Sequence, residues 1–289
     1  MRRKLLWLVM AVAVVMPAFG APIVNLASAS AFGLLGDTIS NTGVSVINGY
    51  VGVQDSGGTI TGFYTPGTTS YGPAGVLAPG NATASAAYAD FVTAFNLAFS
   101  NITTPTTQPA PDFTSSYLFT GDNVYNTALA ISTTTGITLT FDAQNNPNEY
   151  FIIRTSGPLT VNGAMTFTLE NGAQASNIFW IVGTDATISV GSSGPITFDG
   201  DILAGNAFTM SAASGGVNTL AGTINGCVFA GATNSTDSAA NTLAGETYVN
   251  GCAATGTPEP GSSGLVGLGC LLGILAWRKF RGGARRRTD

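Results

Sequence analysis

The amino-acid sequence predicts an all-β protein, a parallel β-solenoid with one long α-helix packed alongside. Three observations lead to this fold class. Apolar residues alternate with Thr and Ser along many short segments, a short Asn-Gly motif recurs, and one segment has apolar residues at helical spacing. About 235 residues lie between two basic ends, which is enough for one substantial β-rich core.

The alternation is clearest where Ile137, Leu139 and Phe141 point one way while Thr138 and Thr140 point the other. Because successive side chains of a strand lie on opposite faces, this pattern indicates half-buried strands with a hydroxylated outer face. The same alternation returns later, with these outward residues: Thr160, Thr166, Thr168, Thr187, Ser189, Thr209 and Ser211. Gly and Asn turns separate the segments, as expected of many short strands.

A repeat organises these strands: a β-branched or aromatic residue, then Asn or Asp, then Gly. Its copies are Ile47-Asn48-Gly49, Val161-Asn162-Gly163, Phe198-Asp199-Gly200, Ile224-Asn225-Gly226 and Val249-Asn250-Gly251. The last three copies are separated by 26 and 25 residues, and such a period is typical of a solenoid. Gly and Asn accept the left-handed backbone that the corners of a coil require. A β-sandwich is the alternative, because Asn-Gly is also a hairpin signal.

One segment, from about residue 81 to residue 100, does not alternate. Its apolar residues recur at helical spacing: Ala84, Tyr88, Phe91, Phe95, Ala98 and Phe99. Pro79 and Gly80 precede it and Pro105 follows, so we predict a single amphipathic helix that covers one apolar face of the solenoid. The segment has no basic residue, which argues against a helix lying on a membrane.

Residues 1–21 have the layout of a secretory signal peptide. Arg2, Arg3 and Lys4 precede an apolar run at 5–16, and small residues then offer a cleavage site. The apolar run is too short to span a bilayer by itself, so we expect cleavage and export rather than an N-terminal anchor.

Residues 257–289 contain three parts in order: Pro258-Glu259-Pro260, an apolar segment at 261–277, and a basic tail. This order resembles the PEP-CTERM sorting signal of exopolysaccharide-producing Gram-negative bacteria, whose tail is cut near the Pro-Glu-Pro by an exosortase. The resemblance implies exosortase as a processing partner, transient anchoring by a short transmembrane segment, and a final place at the cell surface or in the extracellular matrix. A plain C-terminal membrane anchor is the alternative reading of the apolar segment.

Charge is nearly absent from the part of the chain between the two ends. From Ala21 to Thr257 there are thirteen acidic residues and a single basic one, Arg154, hence a net charge of −12, with no Lys or His. Nucleic acid is therefore excluded as a natural partner. No Ser/His, Cys/His or G-x-S-x-G arrangement occurs either. The composition favours a non-enzymatic binding surface of hydroxyls, amides and methyls, without a cofactor.

Two cysteines, Cys227 and Cys252, each follow an Asn-Gly copy of the repeat, one period apart. In a solenoid they would stack in neighbouring coils, and export permits a disulfide between them. We expect this disulfide rather than a metal site, because no His accompanies the cysteines and no C-x-x-C spacing exists.

Two longer segments are more specific, residues 139–153 (LTFDAQNNPNEYFII) and 171–183 (NGAQASNIFWIVG). With 24–32, 39–43 and the helix position, they resemble the bacterial and fungal ice-binding family known as DUF3494 over nearly the whole exported part. The resemblance implies a discontinuous β-solenoid domain, at 22–256, with one long helix packed alongside. It also implies secreted, surface-associated antifreeze or ice recrystallisation inhibition activity, through a flat Thr/Ser-rich face that binds ice or an ordered water surface.

The physics of such a face favours threonine. Strands in adjacent coils lie about 4.7–4.9 Å apart and alternate residues along a strand about 6.6 Å apart, which places outward side chains on a grid. The stiff χ1 of Thr holds a hydroxyl and a methyl at fixed positions. The candidate ice-binding residues are Thr38, Ser40, Thr42, Thr138, Thr140, Thr160, Thr166, Thr168, Thr187, Ser189, Thr209, Ser211 and Thr223.

Two other functional classes are considered. A polysaccharide-acting β-helix enzyme would need paired carboxylates, and the close pairs are Asp142 with Glu149 and Asp199 with Asp201. We expect turn and corner roles for these acids, and a structural role for Arg154 beside a nearby acid. An adhesion or matrix protein with the same fold would instead bind extracellular polysaccharide.

Overall fold

The computed structural model describes residues 24–63, 69–71, 75–101, 107–109, 113–121, 123–127, 131–133, 136–163, 165–190, 194–212, 219–233 and 240–252. The predicted signal peptide, the Pro258-Glu259-Pro260 motif and the apolar segment 261–277 lie outside these residues. Among the described residues, no helix is long and apolar enough to cross a membrane.

The strands form the three faces of a solenoid, and every strand pair is parallel. Face A, a sheet of eight strands, contains β1 (Phe32–Gly36), β4 (Tyr50–Val53), β7 (Thr107–Pro109), β9 (Asn123–Thr127), β12 (Phe151–Thr155), β15 (Ile178–Val182), β18 (Asp201–Ala204) and β21 (Val228–Ala230). Face B, a sheet of seven, contains β2 (Thr38–Asn41), β5 (Thr59–Thr61), β10 (Ile131–Thr133), β13 (Leu159–Asn162), β16 (Ala186–Ser189), β19 (Phe208–Ser211) and β22 (Ala240–Ala244).

Face C is made of two sheets, of five and three strands. It contains β3 (Ser45–Ile47), β6 (Thr69–Tyr71), β8 (Tyr117–Thr120), β11 (Ile137–Asp142), β14 (Met165–Glu170), β17 (Ile196–Asp199), β20 (Leu220–Asn225) and β23 (Glu246–Val249). Each complete coil therefore runs from face A through face B to face C.

The coils do not stack in chain order. Five consecutive coils run from β9 to β23, and the N-terminal coil β1–β3 then stacks on the last of them, with Leu34 beside Val228, Thr38 beside Ala240 and Ile47 beside Val249. The coil β4–β6 completes this end of the stack. The solenoid is thus discontinuous, as predicted, and we call the contact between coil β21–β23 and coil β1–β3 the seam.

The predicted helix is present as α1 (Ala82–Asn96), which continues into a π-helical turn (Leu97–Asn101). Asn81 caps its start, since the Asn81 side chain accepts a hydrogen bond from the Thr83 N–H at 2.9 Å. Its apolar side packs on the outward residues of face A, and the Phe91 and Phe229 rings are 5.4 Å apart. The helix therefore covers face A, and within the described residues faces B and C are the open sides.

Aromatic rings fill the interior of the solenoid. Phe141 stacks on Phe119 and on Phe167 in the neighbouring coils, with ring centroids 4.6 and 6.1 Å away. Trp180 is buried among these rings, 5.1 Å from Phe198, and its indole N–H donates to the Asp199 carbonyl at 3.0 Å. Equivalent inward residues of successive coils stack on one another. A continuous core therefore forms along the axis of the solenoid.

Arg154 has a structural role, although its partners are not the acid expected from the sequence. Its guanidinium donates to the carbonyls of Ala98 and Phe99, at 3.3 and 2.9 Å, and to the Asn126 side chain at 3.0 Å. The first two carbonyls lie at the C-terminal end of the helical segment, where unpaired carbonyls and the helix dipole favour a cation. The hydrogen bonds of Arg154 thus link the C-terminal end of the helical segment to face A.

The Asn/Asp-Gly repeat marks the corner between faces C and A in four of its five copies. Side-chain amides form a ladder there: Asn225 donates to Asp199 at 2.6 Å, Asn250 to Asn225 at 2.7 Å and Asn48 to Asn250 at 3.5 Å. The fifth copy, Val161-Asn162-Gly163, ends a strand of face B instead. A disulfide joins Cys227 and Cys252 beside the ladder, across a Cα–Cα distance of 4.5 Å.

Candidate functional site: a hydroxyl rank on face B

Face B carries a continuous line of hydroxyls across all seven of its strands. In order through the stack, the residues are Ser132, Thr160, Thr187, Thr209, Thr242, Ser40 and Thr61. Each is the direct register partner of the next, so their spacing equals the strand spacing, about 4.7–4.9 Å. We call these seven residues the central rank.

The central rank points outward because its neighbours point inward. On β13, for example, Leu159 and Val161 are buried while Thr160 is partly exposed, and β16 and β19 alternate in the same way. The inward residues anchor each strand in the core, and the short parallel strands hold the hydroxyls in one sheet. The χ1 stiffness of the threonines then limits how far the hydroxyls and methyls can move.

Two shorter lines flank the central rank. On one side Asn162, Ser189, Ser211 and Ala244 are register partners, and the Ser189 and Ser211 hydroxyls are 3.2 Å apart. On the other side Thr38 lies between Ala240 and Thr59. Thr42 is exposed just beyond β2, where its N–H donates to the Leu243 carbonyl at 2.9 Å.

The outward residues of the described face B strands are all Thr, Ser, Asn or Ala. Face C differs, since Asp142, Glu170 and Glu246 are among its outward residues. Its column of threonines is also interrupted. Leu118 is the register partner of Thr140 at one end, and Tyr248 is the register partner of Thr223 at the other. Face B is therefore the more regular and less charged of the two open sides.

The structure divides the sequence-predicted candidates between two faces. Face B holds Thr38, Ser40, Thr42, Thr160, Thr187, Ser189, Thr209 and Ser211, whereas face C holds Thr138, Thr140, Thr166, Thr168 and Thr223. Sequence reasoning missed four hydroxyls of face B: Thr59, Thr61, Ser132 and Thr242. Thr59, Thr61 and Thr242 alternate with Ile60 and Leu243, so the two-residue period could have found them.

The first acidic pair considered for an enzyme forms part of a turn. The Asp142 carboxylate accepts hydrogen bonds from the Asn171 side chain at 2.7 Å and from the Gln144 N–H at 2.8 Å. These bonds lower the pKa of Asp142, because they favour the charged form. Glu149 accepts a bond from the Asn146 side chain at 3.1 Å. Both acids thus stabilise the Asn-rich turn between β11 and β12.

The second pair belongs to the corner between faces C and A. Asp199 begins the amide ladder, and buried Asp201 accepts the Cys227 N–H at 2.9 Å. Burial raises the pKa of Asp201 to about 7. The Asp201 carboxylate and the sulfurs of Cys227 and Cys252 lie within 4.8 Å of one another, but the sulfurs are bonded to each other. The oxidised cysteines therefore act as a covalent link rather than as thiolate ligands.

Replacement of Asp201 by Asn should remove one source of pH dependence in the stability. In the wild type, the folded carboxyl keeps its proton up to pH about 7, whereas an unfolded Asp releases it near pH about 4. The free energy of unfolding should therefore fall as the pH rises from about 4 to about 7. Asp201→Asn can still accept the Cys227 N–H, and denaturant unfolding across this range should show a flatter profile. If the free energy of unfolding of the variant fell with pH as steeply as that of the wild type, the raised pKa of Asp201 would be contradicted.

A groove of about 610 Å³ lies between α1 and the turn that follows β21. Two of its hydroxyls are bonded within the protein: the Ser85 hydroxyl donates to the Gln54 carbonyl at 2.5 Å, and the Tyr88 hydroxyl to the Gly231 carbonyl at 2.7 Å. Burial and the Asp37 carboxylate raise the pKa of Tyr88. These bonds indicate that the groove residues serve to hold the helix in place.

The fold and the site together define a class of protein: a discontinuous, three-faced β-solenoid with a covering helix and an open hydroxyl face. The Ice-binding-like family model matches residues 34–251, and the chain belongs to this family. The model of the PEP-CTERM protein-sorting motif matches residues 257–281, which indicates export and membrane-associated sorting. No curated protein matches the chain.

Solved structures of ice-binding proteins share this fold. One from an Antarctic biological consortium is 24% identical, with 79% of this chain and 90% of that chain covered and a TM-score of 0.63. One from the Antarctic ascomycete Antarctomyces psychrotrophicus is 25% identical, with 78% and 98% covered and a TM-score of 0.56. A glycosylated one from an Arctic yeast is 21% identical, with 80% and 95% covered and a TM-score of 0.60.

Proposed function

We propose that the exported protein binds ice through face B and thereby shapes ice crystals and inhibits their recrystallisation. The observation that carries this proposal is the central rank, in which seven Ser and Thr residues on adjacent parallel strands follow one another in direct register. Membership of the ice-binding-like family supports the same conclusion.

The chemistry of the rank suits an ordered water layer. Each hydroxyl can donate one hydrogen bond and accept up to two, while each threonine methyl offers a small apolar contact beside it. Charged side chains, which hold mobile and strongly oriented hydration water, are absent from the outward positions of the described face B strands. The acidic residues that the structure describes lie at other positions, and the net negative charge of the exported part favours solubility.

The function proposed is non-enzymatic. The acidic pairs that an enzyme would need lie in a turn and at a corner, bonded to side-chain amides and backbone N–H groups. Adhesion to extracellular polysaccharide is the alternative function, and the ice-growth test below distinguishes it from ice binding.

The direct test uses the purified segment 22–257, which contains all described strands, the helix and the disulfide. At micromolar concentration we expect faceted ice crystals in place of round discs, together with slower recrystallisation in a frozen sucrose suspension. The same segment, unfolded irreversibly by heat in the presence of reductant, provides the matched control. Unaffected ice growth with retained binding to the exopolysaccharide of the producing cells would contradict ice binding and favour the adhesion function.

A further inference from the structure

The described chain leaves the solenoid at the corner opposite face B. β23 lies on face C, and Asn250 continues the amide ladder of the corner between faces C and A. Cys252 follows at this corner, and its sulfur is 3.6 Å from the Phe32 carbonyl of β1 on face A. In a coil with three faces, the corner between two of them is the edge farthest from the third. The exit therefore lies away from the central rank.

The tether beyond this exit is short. Five residues, 253–257, separate Cys252 from Pro258 of the sorting motif. A fully extended chain spans at most about 3.3–3.6 Å per residue, so the six steps from Cys252 to Pro258 reach no farther than roughly 22 Å. Any structure that holds the protein at the sorting motif is thus close to the corner between faces C and A.

The disulfide makes the exit a closed loop. Cys227 precedes β21 and Cys252 follows β23, with a sequence separation of 25, so the loop contains one complete coil. This coil forms the seam with the N-terminal coil through β21, β22 and β23. The disulfide therefore closes a loop around coil β21–β23, the coil that packs against the N-terminal coil at the seam.

We propose that the protein is a tethered ice adhesin, in which attachment at the C-terminal end presents face B outward and the disulfide carries the pulling force. The proposal rests on the function proposed for face B, with an ice crystal as the partner. Without the disulfide, a force on residue 253 would break the pairing of β23 with β20 and β3 one residue pair at a time. With it, the force passes from Cys252 to Cys227 and bypasses the coil β21–β23.

The orientation can be tested with beads that carry the segment 22–257 through a biotin handle after Thr257. The comparison is a bead coupled through Thr184→Cys, labelled with a biotin maleimide without reductant, because Thr184 is exposed in the turn between β15 and β16, at the edge of face B and outside the central rank. We expect C-terminally coupled beads to adsorb to a growing ice front several-fold more densely. Equal adsorption of the two kinds of bead would overturn the orientation.

Failure of the orientation and failure of ice binding are distinguishable. Both labelled proteins are first assayed free in solution, where Thr184→Cys should retain its activity because all seven residues of the central rank are unchanged. Inactive free proteins would contradict the proposed function itself. Active free proteins whose C-terminal beads do not adsorb would contradict only the orientation.

The role of the disulfide is tested with the double variant Cys227→Ser/Cys252→Ser on C-terminally coupled beads. Adsorption without flow should equal that of the wild type, whereas retention under buffer flow should shorten several-fold. Circular dichroism at the assay temperature establishes that the variant is folded. The control couples both proteins through residue 22, where the force does not pass the disulfide, and retention should then be equal. Equal retention of the two proteins with C-terminal coupling, or the same loss of retention with both couplings, would contradict the proposal that the disulfide carries the force.

Discussion

The double variant Thr187→Tyr/Thr209→Tyr is expected to lose ice shaping and recrystallisation inhibition by an order of magnitude or more. Thr187 and Thr209 are adjacent register partners near the middle of the central rank. A tyrosine extends well beyond a threonine, so two of them would hold an ice surface away from the neighbouring hydroxyls of face B. The measurement is the concentration that halves the recrystallisation rate.

The matched control is Thr140→Tyr/Thr168→Tyr, which makes the same change at two adjacent register partners on face C. These positions are also partly exposed, so both double variants should change the free energy of unfolding by no more than about 1 kcal/mol. The control should keep its ice activity. Loss of activity in the control but not in the face B variant would transfer the site to face C.

Trp180→Ala is expected to reduce the free energy of unfolding by about 3–5 kcal/mol. The side chain is 1% exposed and lies among Phe113, Phe141 and Phe198 in the middle of the core. Its removal leaves a cavity bounded by rings from several stacked coils, and the rigid parallel sheets limit how far those rings can move into it. Denaturant unfolding of the oxidised protein measures the loss.

Trp180→Phe separates the ring from its hydrogen bond. Phenylalanine keeps much of the packing but cannot donate to the Asp199 carbonyl, which the indole reaches at 3.0 Å. We expect a smaller loss, about 1–3 kcal/mol, from the unpaired buried carbonyl and the smaller ring. A loss below 1 kcal/mol for Trp180→Ala would contradict the role assigned to this residue in the core.

Much of the fold was predictable because it depends on local patterns. The alternation around Ile137 and Leu139 requires only that one face of a strand is buried, and the Asn-Gly copies require only a corner that accepts left-handed backbone. Helix α1 was predictable because the spacing of Tyr88, Phe91 and Phe95 puts all three side chains on one side of a helix. A helix with one apolar side is expected to pack that side on an apolar surface.

The partners of Arg154 were not predictable in the same way. Its hydrogen bonds reach the carbonyls of Ala98 and Phe99, which are more than fifty residues earlier in the chain. An acid was the natural expectation from charge alone. However, the packing of α1 on face A brings the carbonyl end of the helical segment to β12, and a sequence pattern does not contain that contact.

The candidate site was only partly predictable for a related reason. Thr140 and Thr160 have the same local pattern, yet they lie on different faces, because the turns between strands differ in length and set the direction of each strand. Ser40 joins the central rank through Thr242, although the two are some two hundred residues apart in the chain. This neighbour relation exists only because the N-terminal coil stacks on the last coil at the seam.

The sequence by itself therefore determined that the exported part is an acidic, Thr-rich β-solenoid with one helix, since alternation, repeat length and charge are properties of neighbouring residues. Only the tertiary structure decided which hydroxyls share a surface, which side the helix covers and where the chain leaves the stack. The physical reason is that each of these depends on strand register between coils, which is set by inward packing across distant parts of the chain.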